Sequence, residues 1–453
     1  MVARRLFETF YQATRNSFEI PLLLPFLAAI TADNVFYGFL YEGQFVKNLT
    51  SATGISIFVA IILVAYVSGL PLLHRVLKRQ SKKLREADYS IQIIYRLLIA
   101  VQYFVMAFLI LIALEIFLES KYSLLLLIAV VMFSFSTATA VMLFMSFKLF
   151  SWYRRSRGII ILLYGISTST FAVNTATIVG VNAVKIGLEI PEDIGTAGGA
   201  FMQIGPNSSQ LVLLQITYMP FRVGYLTIWI ASALLLNKYS KKLGRIKYWS
   251  LMSLPLLGFG VASILATQQS VSHSIITPFL VVITLIISAI LFGGVFWMVG
   301  RSISQIAEKN GAAVYLRLSA FGVIMIVLSI ISPVIYSPYP PFGITAWSFV
   351  AMASYVYSVG IYSSAVSVSQ DARLRQFIRK NTMNEPKLLE SMGSAQLQKE
   401  IEDRVIGVAK NASKLMVDQT GVQSSLSDDD MKYYLHEVIN EIERQKPHPS
   451  DGE

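Results

Sequence analysis

Residues 122–147 read YSLLLLIAVVMFSFSTATAVMLFMSF, and residues 148–157 continue KLFSWYRRSR. The first stretch holds no charged residue and exceeds the roughly 20 apolar residues that an α-helix needs to cross a hydrocarbon core of about 30 Å. The second stretch holds four Lys and Arg residues. An uncharged run followed by a basic gap is typical of a helix that crosses a membrane and ends at its surface.

The same pattern recurs along most of the chain. Among 453 residues, 54% are hydrophobic and 14% are charged, which is far outside the composition of soluble proteins. We therefore predict an all-α fold, with a polytopic transmembrane bundle of about ten helices over residues 1–369 and a small helical cytoplasmic tail over residues 370–453. The ten apolar runs lie near residues 20–41, 54–73, 93–117, 122–147, 158–182, 211–236, 249–267, 274–299, 318–335 and 344–367.

Lys and Arg are concentrated in every second gap between these runs. Five alternate gaps hold 21 of them, whereas the other gaps hold Lys47, Lys121 and Lys185. Because cytoplasmic loops keep their Lys and Arg, this asymmetry predicts a multi-pass protein of the cell membrane with both termini in the cytoplasm. The net charge of +11 is then a topology signal. It predicts contact with the lipid bilayer and does not favour nucleic-acid binding.

The sequence carries no signature of an enzyme. It has no Cys, and none of its four His residues lies three or four positions from another. It also lacks a Walker A motif, a His-Glu-x-x-His motif and a pair of carboxylates within the membrane runs. We therefore predict a protein that is not an enzyme, with no catalytic residues, no metal site and no cofactor.

One Arg lies deep within an apolar run. Arg222 is about twelve residues from one end of the run 211–236 and lies beside Pro220. An unpaired Arg at that depth costs several kcal/mol and requires an anionic partner or a wet cavity. The candidate partners are Glu115, Asp33 and the acids of the outer loop. Two interpretations follow: a structural Arg that snorkels outward or pairs with Glu115, or an anion-binding or carboxylate-binding site in the bundle.

Other polar residues also interrupt the apolar runs. At Asp33-Asn34 either the first helix ends in a cap exposed to water, which we favour, or the pair lies within the membrane as a polar site. Hydroxyl residues at 134–139 and 167–170, together with Asn174, favour close helix packing, and the alternative is a polar path lined by Asn174.

Two features lie on the predicted outer side. The loop of residues 183–210 is long enough to be either a solvated connector or a ligand-recognition loop. Sequons at Asn48 and Asn207 fall in predicted outer loops, which makes both residues glycosylation candidates.

The tail has the pattern of an interaction module. The pattern predicts a short helix over residues 386–392 that ends at Gly393, an amphipathic helix over residues 396–416 and a third helix that begins at Ser427. The apolar faces of the two longer helices need a partner, which could be each other, the membrane surface or another protein. We expect that residues 381–453 bind a soluble cytoplasmic protein.

Two motifs near the last run carry a resemblance. They are YSPYPPFG at residues 336–343 and GIYSSAVSVSQDARLR at residues 360–375. Over residues 290–445 the chain resembles a group of uncharacterised polytopic membrane proteins from ammonia-oxidising archaea. The resemblance implies an archaeal source and a cytoplasmic-membrane setting, and it carries over no catalytic residue.

These patterns favour a non-enzymatic membrane receptor or scaffold whose tail binds a soluble partner. The alternatives are a transporter of a small polar or anionic solute and an accessory subunit of a membrane complex. The candidate ligand-binding residues are Arg222, Asn174, Glu115 and Asp33.

Overall fold

The computed structural model describes residues 20–39, 50–84, 89–186, 208–237, 244–267, 276–306, 311–329, 339–372, 374–376 and 384–420. Its elements are α-helices. In chain order they are α1 (Ile20–Phe39), α2 (Ala52–Leu84), α3 (Tyr89–Glu119), α4 (Leu124–Ser156), α5 (Ile159–Ile186), α6 (Ser208–Leu236), α7 (Arg245–Thr267), α8 (Ile276–Ile306), α9 (Gly311–Ser329), α10 (Ile344–Ser348), α11 (Val350–Gln370) and α12 (Asn384–Thr420).

Seven helices in this part of the chain are long and apolar enough to cross a membrane, namely α2, α3, α4, α5, α6, α8 and α9. Large apolar side chains such as Val67, Phe117 and Phe147 are exposed on their outer faces, as expected for surfaces that contact lipid. The predicted class, an all-helical multi-pass membrane protein, is confirmed. The total of ten crossings and the cytoplasmic placement of both termini stay predictions.

The centre of the bundle is α11. Every residue from Val350 to Val366 is buried, and the helix packs against α9, α4 and α12. Ser and Tyr recur along it, which suits a helix surrounded by protein rather than by lipid, because hydroxyls can bond across helix interfaces.

The contact between α9 and α11 is unusually close. A Cβ atom on Gly322 would meet the backbone N and Cα of Tyr357, and one on Gly360 would lie 2.6 Å from the backbone N of Ser319. The two contacts are about one helical turn apart. In the first, Tyr357 of α11 packs against Gly322 of α9, and in the second, Ser319 of α9 packs against Gly360 of α11. Small residues at such positions let helix backbones approach.

Two of the predicted boundaries are wrong. The first helix does not end near Asp33 in an exposed cap, because α1 continues to Phe39 and Asp33 is completely buried. The tail helix does not end at Gly393, because α12 is continuous from Asn384 to Thr420. Gly393 instead lies against Val368 of α11, so its lack of a side chain serves packing and not helix termination. The third tail helix, which we predict to begin at Ser427, lies outside the described residues.

Candidate functional site

The helix formed by α10 and α11 is interrupted in the interior of the bundle. Phe349 separates the two parts, with φ −99° and ψ 2°. The hydroxyl of Ser134 on α4 enters the gap, where it donates to the carbonyl of Trp347 at 2.7 Å and accepts from the N–H of Ala351 at 3.4 Å. These two backbone groups are four residues apart and would bond directly in a regular helix. A side chain inserted into the hydrogen-bond ladder is a recognised cause of helix kinks.

An amide from α3 lies at the same break. The Nε2 atom of Gln102 donates to the Tyr66 hydroxyl at 3.3 Å and to the carbonyl of Ser348 at 3.5 Å. Gln102 is 1% exposed, and its Oε1 atom accepts no hydrogen bond. Helices α2, α3 and α4 thus each contribute one polar side chain to the interruption.

Asp33 and Asn34 attach α1 to the same region. The Oδ2 atom of Asp33 accepts from the N–H of Ala346 at 2.9 Å. The Nδ2 atom of Asn34 donates to the carbonyls of Ile30 and Leu328 at 2.9 and 2.8 Å. The pair therefore lies inside the bundle, as the second interpretation of the sequence has it.

Arg222 lies on α6, half-buried and away from this cluster of polar residues. The α5–α6 contact fixes its level, because the rings of Phe171 and Phe221 are 6.0 Å apart and the hydroxyl of Ser167 bonds to the carbonyl of Gly224. This level is about 13 residues, or roughly 20 Å, along α5 from Arg157 at the basic end of the bundle. If the basic end of the bundle lies at a membrane surface, as the sequence predicts, this level is well inside a hydrocarbon core of about 30 Å.

Two of the candidate partners of Arg222 are engaged elsewhere, and the acids of the loop 183–210 lie outside the described residues. The Oε2 atom of Glu115 accepts from the N–H of Ser123 at 2.6 Å and closes the turn between α3 and α4. Asp33 bonds to Ala346. Arg222 forms no ion pair with any residue that the structure describes. Asn174 is buried on α5, about one turn from the level of Arg222. The sequons at Asn48 and Asn207 and most of the loop 183–210 lie outside the described ranges.

The first third of α12 covers the basic end of the bundle, where it contacts α4, α5, α6, α8 and α11. Its buried side chains there are those of Leu388, Leu389, Met392, Ala395 and Gln396, and Gly393 is buried among them. Two polar contacts lie beside them: Arg155 pairs with Glu402 at 2.9 Å, and the indole N–H of Trp152 donates to Gln396 at 3.2 Å.

Tyr66 and Gln102 were not among the residues that sequence reasoning singled out. Gln102 is an uncharged amide within the apolar run 93–117. A polar side chain in a predicted membrane helix could have indicated a buried polar contact. Tyr66 gave no such signal, because Tyr is common in membrane helices.

The helices and their buried polar cluster define a polytopic helical membrane protein in contact with the lipid bilayer. Comparison with known proteins gives no closer assignment, because no family model, no curated protein and no solved structure matches the chain.

Proposed function

We propose that the protein is a non-enzymatic membrane receptor or scaffold whose tail binds a soluble cytoplasmic protein. The observation that carries this proposal is the division of α12 into a docked part and an exposed part. The docked part contacts five helices of the bundle. A change in how those helices pack therefore alters the surface that holds α12, which is what a receptor needs to relay a signal from its outer face.

The exposed part of α12, from Ile401 onward, presents an apolar stripe at its surface. Ile401, Val405, Val408 and Leu415 follow one another at intervals of four, three and seven residues, and all are exposed, Val408 to 69% and Leu415 to 61%. Spacings of three and four place these side chains on one face of the helix. Such a face fits an apolar groove or a second helix on a partner protein.

The charges of this segment favour a protein partner over the membrane surface. Helices that lie on lipid headgroups carry an excess of Lys and Arg on their polar face. Residues 397–420 instead balance four basic residues, Lys399, Arg404, Lys410 and Lys414, against four acidic residues, Glu400, Glu402, Asp403 and Asp418. A neutral polar face gives no attraction to anionic headgroups, so the apolar stripe is the feature that selects the partner.

We expect the double variant Val408→Asp, Leu415→Asp to lose the partner without unfolding the bundle. Burying two such side chains contributes about 1.5–3 kcal/mol each, so the affinity should fall by a factor of about 100 or more. The matched control is Ser413→Asp, Val417→Asp, which adds the same charge at two partly exposed positions on the opposite face of the same helix.

The measurement has two stages. In-cell crosslinking and mass spectrometry first identify proteins that are captured by the wild type and the control but not by the stripe variant. The purified candidate is then titrated onto full-length protein in detergent. Equal affinity for all three forms would exclude the stripe as the binding surface and remove the support for this proposal.

A transporter of a small anionic solute is the second candidate, and Arg222 is the observation that favours it. A guanidinium this deep in the core with no carboxylate partner among the described residues is suited to bind an anion.

We expect Arg222→Gln to abolish uptake of that anion by proteoliposomes, whereas Arg222→Lys keeps part of it because the charge remains. A panel of labelled carboxylates and inorganic anions tests this. Loss of thermal stability in Arg222→Gln, with no uptake by the wild type, would instead indicate a structural Arg.

A further inference from the structure

Two arginines without a carboxylate partner lie on adjacent helices at the basic end of the bundle. Arg301 is exposed near the end of α8, and Arg317 is half-buried in the second turn of α9. Neither forms an ion pair with any residue that the structure describes. Leu316, the neighbour of Arg317, lines a small cavity together with Leu388 of docked α12, so this part of α9 belongs to the end that α12 covers.

The guanidinium of Arg317 reaches across to the face of α8 that carries Arg301. Its Cζ atom lies 5.6 Å from the centre of the Trp297 ring, and its Nη2 atom donates to the Ser304 hydroxyl at 3.3 Å. Trp297, Arg301 and Ser304 are spaced by four and three residues, which places them on one face of α8 with the arginine in the middle. The two cations therefore share one strip of surface, and their mutual repulsion is relieved when an anion lies beside both.

Packing holds the side chain of Arg317 in this position. A Cβ atom on Gly300 would lie 3.5 Å from Cγ of Arg317, so the aliphatic stem lies along α8. Phe321, one turn further along α9, contacts the Trp297 ring edge to face with the ring centres 5.6 Å apart. The second terminal nitrogen of Arg317, Nη1, bonds to no described residue and is not sealed in the interior. A guanidinium that is already positioned and has an unused donor is suited to bind a phosphate oxygen.

The same face of α8 continues into the membrane core as an apolar surface. Ile290, three turns before Arg301, is 63% exposed. Between them lies Gly294, where an added Cβ would meet nothing within 4 Å, so the face has a notch at this point. The apolar span of α8 ends at Ser304 and that of α9 begins at Gly311, which places the two cations near the level of lipid headgroups.

We propose that this face of α8 and α9 binds one anionic phospholipid, with its phosphate between Arg301 and Arg317 and an acyl chain in the notch at Gly294. Charge and shape together select this occupant. A zwitterionic lipid carries its own cation, which competes with the two guanidinium groups for the phosphate, and a soluble anion gains nothing from the apolar notch. The proposal goes beyond the receptor function and uses no residue of α12, so either can fail while the other holds.

Native mass spectrometry of the full-length protein in detergent tests the binding. We expect the wild type to retain one phosphatidylglycerol under conditions that remove phosphatidylcholine. The double variant Arg301→Gln, Arg317→Gln should lower the affinity for phosphatidylglycerol about thirtyfold, the product of two contributions of about fivefold each. The matched control is Arg154→Gln, Arg245→Gln, which removes the same charge from two exposed positions on α4 and α7 and should leave the affinity unchanged.

Gly294→Leu tests the contact with the acyl chain, because it fills the notch and keeps both charges. It should weaken the binding of phosphatidylglycerol. Equal retention of the two lipids by the wild type, or equal affinity in the double variant and its control, would overturn the proposal. So would inorganic phosphate that displaces the lipid from a Gly294→Leu variant as readily as from the wild type, because a soluble anion is then the occupant. If the double variant does not fold, Arg301→Gln decides the question, since the side chain of Arg301 forms no hydrogen bond or ion pair with a described residue.

Discussion

Substitution of Gly322 by Ala should prevent native packing of α9 against α11. The added methyl group would meet the backbone N and Cα of Tyr357, which no change of side-chain rotamer can relieve. Overpacking in a well-packed core costs about 1–3 kcal/mol, and a clash with backbone places the cost at or above the upper end of that range. In an unconstrained helix the same substitution stabilises by about 1 kcal/mol, so the two effects have opposite signs.

Gly180→Ala is the matched control, because Gly180 is also within a membrane helix and an added Cβ there meets nothing within 4 Å. Thermal unfolding followed by tryptophan fluorescence, together with the monodisperse yield after size-exclusion chromatography, measures both variants. We expect Gly180→Ala to match or exceed the wild type and Gly322→Ala to unfold far earlier or not to be recovered. Equal unfolding temperatures for the two variants would show that the α9–α11 contact is looser than the structure has it.

The apolar runs predicted the helices well, because a membrane helix must satisfy its backbone internally and its length follows from the thickness of the bilayer. Each of the ten runs overlaps a helix, although residues 330–335 of the ninth run lie outside the described residues, and the last run is divided at Phe349. The division could not be predicted from the run 344–367. It is produced by Ser134, which inserts from another helix, and contacts between distant parts of the chain leave no mark on local hydropathy.

The polar residues were predicted less well, for the same reason. A carboxylate followed by an amide near the end of an apolar run is typical of a helix end, and the sequence favoured that interpretation of Asp33-Asn34. The partner of Asp33 is Ala346 and the partner of Asn34 is Leu328, and each partner is about 300 residues away in sequence. The local preference of Gly for helix ends likewise suggested a boundary at Gly393, whereas the packing against Val368 is what requires a glycine there.

Gly393→Leu should release α12 from the bundle while the membrane helices stay folded. A Cβ atom at this position would lie 2.5 Å from Cγ1 and 2.9 Å from Cβ of Val368, and the rest of a Leu side chain has no room between the two helices. The contact between Arg155 and Glu402 does not hold α12 alone, because partly exposed ion pairs contribute at most about 1 kcal/mol. We therefore expect Leu388, Leu389 and Met392 to leave their buried positions together.

Hydrogen exchange measured by mass spectrometry in detergent tests this release. In Gly393→Leu, residues 384–402 should lose protection and α11 should keep most of it. Gly407→Leu is the control on the same helix, since an added Cβ there meets nothing within 4 Å. Full protection in Gly393→Leu, or equal loss in both variants, would contradict the docking. The same two variants also distinguish a relay from a tether. If docked α12 relays changes in the bundle to the partner, Gly393→Leu should bind the partner with unaltered affinity but no longer respond to the state of the bundle. If α12 only holds the partner near the membrane, Gly393→Leu should behave as the wild type in both respects.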